Sequence, residues 1–194
     1  MSQVAISGNA SGTGTLTIAA PNTNSNYTLT LPTLTGTILT NKTAGTVLQV
    51  VSTTKTDTFT TASTNTYVDV TGLSVTITPT SSTSKILILA SVHQAASGEP
   101  TGFQIVRDST AIGIGTASGS RFVASAAGAA GDSNRVTSLN VNYLDSPSTT
   151  SSVTYKIQVR GYNNGVSVNR TPNDTDANVS ARPVSTITVM EIAA

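Results

Sequence analysis

The sequence contains no cysteine, which excludes a disulfide, a thiolate nucleophile and any Cys-based zinc site. Stability must then come from packing and assembly. Charge is scarce as well: charged residues make up 10% of the chain, against a usual ~25%. Ten Lys and Arg oppose nine Asp and Glu for a net charge of +1, and no stretch concentrates either sign. The basic stripe of a nucleic-acid binder is therefore missing, as is the basic cluster of a protein that grips acidic ligands. Long apolar runs are missing too. None approaches the ~20 residues of a membrane-spanning helix, so no membrane insertion is expected. Residues 1–9, MSQVAISGN, lack the basic-then-apolar pattern of a signal peptide, and the expectation is a soluble chain without a cleavable export signal.

What fills the gap left by charge is hydroxyl. Thr and Ser together supply about a third of the residues. Threonine is β-branched, stiff at χ1 and suited to a pleated, half-exposed surface. No stretch of useful length shows helical periodicity. Period-two alternation runs instead through residues 66–70, 73–78, 139–143 and 153–159, the mark of half-buried strands. Residues 85–92, KILILASV, are apolar on both faces and predict a central strand covered on both sides. Residues 103–106 and 111–114 flank the polar turn Arg107-Asp108-Ser109-Thr110 and read as a hairpin. Residues 47–51 open this series and residues 185–192 close it. Eight or so strands with regular turn signals predict an antiparallel, jelly-roll-like β-sandwich over residues 46–194.

Residues 1–45 read differently. Three short alternating runs, at 15–18, 27–31 and 34–39, are separated by glycines and by the turn PNTNSN. So few short strands cannot bury their apolar faces alone. This β-rich segment is expected to need a partner surface, and to serve attachment and trimerisation.

The sequence resembles tail-fibre-like virion proteins of bacteriophages, those of cyanobacterial phages in particular. The similarity lies in Gly8-Asn9-Ala10-Ser11-Gly12-Thr13-Gly14-Thr15-Leu16-Thr17, Ala20-Pro21-Asn22 and Leu29-Thr30-Leu31-Pro32. It continues in Gly45-Thr46-Val47-Leu48-Gln49, Ile77-Thr78-Pro79, Tyr143-Leu144-Asp145-Ser146-Pro147 and Ser185-Thr186-Ile187-Thr188-Val189-Met190-Glu191-Ile192. These are packing and turn residues and carry no chemistry. The resemblance implies a homotrimeric β-structured appendage with a jelly-roll head, exposed on the particle surface after assembly in the host cytoplasm. It also implies partners: sister chains, other virion proteins through the N-terminal segment, and a host surface glycan or envelope protein. With 194 residues there is no room for a long shaft, so a short fibre, a fibre tip, or a capsid decoration or neck-fibre protein without a receptor role is expected.

Residues able to do chemistry are few. His93 is the single histidine, and a Ser–His–Asp triad would have to use it; an ordinary residue at a strand end is the simpler expectation. Gly113, Gly115 and Gly119 lack the following helix that a dinucleotide fingerprint needs, and read as loop glycines. Asp174, Asp176 and Asn178 alternate oxygen side chains that can converge on Ca²⁺, but Val179 and Ser185 stand where an EF-hand requires Gly and Glu. The remaining acids are scattered, with no pair to place as a glycosidase acid and nucleophile. No enzyme activity and no cofactor are expected. Residues 116–134 form a long loop of small residues in which Arg121 and Phe122 are the bulky members. Loops of that length are usually functional or disordered, so Arg121, Phe122 and His93 are the candidates for contact with a receptor.

Overall fold

The computed structural model describes residues 11–13, 24, 26, 43–129 and 132–194. The chain divides into two compact units, Met1–Thr37 and Ile38–Ala194. The strands expected at 15–18, 27–31 and 34–39 lie outside the described residues.

The second unit is all β in its regular structure among the described residues. Its described residues form β1 Val47–Lys55, β2 Phe59–Thr61, β3 Val68–Ile77, β4 Lys85–Ala95, β5 Pro100–Arg107, β6 Thr110–Ile112, β7 Ala126–Ala129, β8 Thr137–Asp145, β9 Val153–Gly161, β10 Val166–Val168 and β11 Ser185–Ile192. The strands pair antiparallel in two sheets. Sheet A runs β1–β11–β4–β8, with β2 and β10 continuing β1 and β11 at one end. Sheet B runs β3–β9–β5, and β6 and β7 share the other edge of β5. Counting β1/β2, β6/β7 and β10/β11 each as one interrupted strand leaves nested pairs: first with last, second with seventh, third with sixth, fourth with fifth. That path is a jelly roll, as the strand spacing predicted.

Period-two alternation explains why these segments fold as they do. In β9 the side chains of Val153, Tyr155, Ile157 and Val159 are buried, while Thr154, Lys156, Gln158 and Arg160 are half-buried on the other face. The core between the sheets gathers Leu73, Ile77, Ile86, Ile88, Phe103, Ile105, Tyr155, Ile157 and Ile187. Each such side chain taken out of water contributes about 1.5–3 kcal/mol.

Four expectations need correction. The strand at 85–92 extends to Ala95, so His93 lies inside β4 rather than at its end. β4 is also covered on one face only: Ile86, Ile88, Ala90 and Val92 are buried, but Leu87 and Leu89 lie half-buried on the outside of sheet A. The runs at 66–70 and 73–78 belong to one strand whose register shifts between Asp69 and Ser74, where Gly72 takes a φ of 81°. Left-handed backbone at a bulge is the conformation glycine supplies at low cost. Finally, residues 116–134 are not one loop, because Ala126–Ala129 forms β7 against Pro100–Phe103. Alanine and glycine have little strand propensity; at Gly128 an added Cβ would sit 3.0 Å from Leu139, so a small residue is needed where the edges of the two sheets approach.

Candidate functional site

The sandwich core is sealed at its ends by polar side chains that bridge the sheets. At one end, Asp145 of β8 accepts hydrogen bonds from Arg107 Nη1 of β5 at 2.8 and 2.9 Å. It also accepts one from the Tyr155 hydroxyl of β9 at 2.7 Å. Burial, then the bond to the Asp145 carboxylate, drives the Tyr155 phenol far above its ordinary pKa. The same end holds Glu191 of β11, which is fully buried. Its carboxylate accepts from Gln49 Nε2 at 2.6 Å and from the Thr80 amide and hydroxyl at 2.7 and 2.8 Å. Burial pushes the Glu191 carboxyl up, but these donors outweigh it and hold the group below the usual carboxylate range.

The opposite end relies on neutral groups and one ion pair. Gln94 Nε2 of β4 donates to Thr101 Oγ1 of β5 at 2.7 Å, and that hydroxyl donates to the Gly128 carbonyl of β7 at 3.2 Å. Beside it, buried Asn169 receives the Ser185 hydroxyl at 2.7 Å and donates to the carbonyls of Lys55 and Asp57 at 2.8 and 3.0 Å. Lys55 is paired with Asp57 at 2.8 Å. These groups are positioned to hold strands together rather than to meet a substrate.

The residues singled out from the sequence do not converge. His93 faces outward from sheet A opposite Ser138 of β8, and its Nδ1 is buried without a hydrogen-bond partner. Arg121 and Phe122 lie on the other side of the sandwich. There the segment before β7 folds back over sheet B, and the Phe122 ring rests where a Cβ on Gly102 would be. The Arg160 guanidinium stacks 4.3 Å from the centre of that ring, an attractive cation–π contact. Tyr67 fixes the same segment by donating its hydroxyl to the Val123 carbonyl at 2.5 Å, and burial pushes its pKa up to about 12. Arg121 remains exposed. In the Ca²⁺ candidate, Asp174 is held between Arg182 at 2.6 Å and Arg170 at 3.4 Å, while Asp176 and Asn178 are exposed. Two guanidinium groups on the first carboxylate of the set make a poor environment for a cation. Among the described residues no group of three or more His, Asp or Glu gathers as a metal site.

The two outer faces of the sandwich differ in chemistry. Sheet B presents Asp69, bound to Lys156 at 2.7 Å and to Gln158 at 2.6 Å. Hydrogen bonding to Lys156 holds the Asp69 carboxyl below its ordinary pKa against a smaller opposing effect of burial. Sheet A presents a row of apolar side chains in register across all its long strands: Val50 opposite Met190, Met190 opposite Leu87, Leu87 opposite Leu144. Val50 and Leu144 are 55% and 54% exposed. Above that row a trough of about 420 Å³ is lined by Leu89, Ser91, Asn140, Asn142, Thr186 and Thr188. A second trough, of about 290 Å³, lies between Thr60, Ala95, Ser97, Asn164 and Pro172. Neither is lined by an ionisable side chain. The apolar row was not recognised from the sequence, although the two-faced pattern of residues 85–92 was its signal.

No protein-family model matches the chain, and no curated protein matches it significantly.

Proposed function

We propose that this chain is a non-enzymatic structural protein of a bacteriophage virion: a homotrimeric fibre or fibre tip that contributes to host attachment. One observation carries the structural role. Several acids and bases of the body bridge strands, as at Arg107–Asp145–Tyr155 and Asp69–Lys156, while the two troughs described above, both among the described residues, are lined by neutral side chains. Catalysis needs a titratable group, a nucleophile with its base, or a metal facing a cavity, and these troughs offer none. The virion assignment is supported by the resemblance of residues 8–32 and of the strand-closing motifs to tail-fibre-like proteins. In this reading residues 1–45 anchor the chain to other virion proteins, and the jelly roll is the exposed head that meets a glycan or envelope protein of the host.

A second reading, capsid decoration or a neck fibre without a receptor role, gains from one observation. Phe122, a candidate for receptor contact, is held by the chain's own Arg160 rather than offered to solvent. Antibody labelling of particles of the phage that encodes the chain separates the readings. Label on tail or fibre tips supports host attachment; label over the capsid or neck supports decoration. Purified particles that contain no copy of the chain would exclude both.

A further inference from the structure

The outer face of sheet A is unlike a surface made to meet water. Its apolar row spans the sheet from edge to edge through Val50, Met190, Leu87 and Leu144, continues to Ile192 beside Met190 on β11, and meets Leu89 one step up β4. Single exposed apolar residues are ordinary on protein surfaces, whereas a contiguous band marks an interaction site. Neutral hydroxyl and amide side chains, Ser52, Asn142 and Thr188, border the band on one side. Lys85, which begins β4, and His93, two residues inside its far end, are the ionisable groups on this face among the described residues. Sheet B carries the opposite design, with Asp69, Lys156 and Arg160 outward and a folded-back segment over Gly102.

We infer that the outer face of sheet A is the surface through which copies of this chain associate, a conclusion that rests on the oligomeric virion reading above. Three features favour a second copy over a different partner. A face almost free of charge packs against a neighbouring copy of the chain without like-charge repulsion, and it presents no field that selects a charged partner. Its extent is also sufficient. Four strands about 4.8 Å apart and eight residues at about 3.4 Å each make a face of roughly 500 Å², so two copies cover about 1,000 Å², the lower bound for a specific interface. Composition agrees as well, since an apolar band bordered by neutral polar side chains is what a homomeric interface presents. The band accounts for β4, whose second apolar face has no cover among the described residues.

The test uses the full chain and the double substitution Val50→Asp with Leu144→Asp. Both positions are more than half exposed, so the fold should survive, as far-UV circular dichroism will report. Sedimentation velocity at tens of micromolar should show the native chain as an oligomer and the double variant at the 19.7 kDa monomer mass. Thr76→Asp, on the outward face of sheet B, should sediment as the native chain does. Should the double variant misfold, Leu144→Ser replaces it, with an expected rise of at least about tenfold in the concentration at which the oligomer half-dissociates. A folded double variant that keeps the native mass, or an unmoved midpoint for Leu144→Ser, overturns this face and leaves the virion assignment standing. A monomeric native chain overturns the face and the trimer together.

Discussion

Replacing Asp145 with Ala should lower the unfolding free energy of the body by about 3 kcal/mol, and its Tm by roughly 6–12 °C. The carboxylate accepts two bonds from Arg107 and one from Tyr155, and it joins β8 of sheet A to β5 and β9 of sheet B. Removing it leaves a phenol buried without an acceptor and a guanidinium without its counter-ion. The Arg107 side chain is 27% exposed, so water relieves part of the penalty and the loss falls at the low end of the range for a broken buried pair. Tyr155→Phe removes one hydrogen bond to a charged group and should cost about 1.5 kcal/mol. Asp145→Asn keeps an acceptor for Tyr155 but not the charge, and should lie between the two. Thermal melts of the three variants test this order; an Asp145→Ala protein that melts with the native chain would show that the bridge does not hold the sheets together.

Glu191→Ala should cost about 2–3 kcal/mol, because the Thr80 amide, the Thr80 hydroxyl and the Gln49 amide lose a charged acceptor at once. The bond to Thr80 ties the turn between β3 and β4 to the last strand, so the loss should also loosen residues 78–84. Glu191→Gln should be milder, since an amide oxygen can still accept from Thr80 while Gln49 turns its own amide over. The pH dependence has a definite sign. The folded-state pKa lies below the ordinary value of 4.5, so the unfolded chain binds the proton first as pH falls. Stability from this group is therefore full above about pH 4.5 and is lost as pH drops through the folded-state value. Asp69 and Asp57 are lowered as well, each chiefly by a hydrogen bond from lysine, and act in the same direction. Urea midpoints between pH 7 and pH 3 should fall for the native chain, and fall less steeply for Glu191→Gln. Equal slopes would mean that Glu191 is no more tightly held in the folded state than in the unfolded one.

The strands that could be read from the sequence are the ones whose alternation is strong enough to act alone. Residues 153–159 and 185–192 coincide with β9 and β11 to within two residues. β2, β7 and β10 were not legible because three or four residues carry no periodicity of their own. They are strands because a neighbour presents free backbone groups, as β5 does for β7. The bridge at Asp145 was equally hidden: Arg107 lies 38 residues before Asp145, and both meet Tyr155 only through the nested jelly-roll pairing. His93 was misplaced for the same reason, since β4 is prolonged by its pairing with β8 to Thr137 and with β10 to Ser167. What the doubly apolar pattern of residues 85–92 did announce was a need for cover on two sides. One side is met by the core, and the other is left open by the described residues.

That open face makes the mass of the native full-length protein in solution the most direct test of an assembly role. Sedimentation equilibrium at micromolar to tens of micromolar concentration should give three times the 19.7 kDa chain mass, with no monomer visible at the upper end. A single species at 19.7 kDa throughout would contradict the proposal that this chain works as a homotrimeric building block.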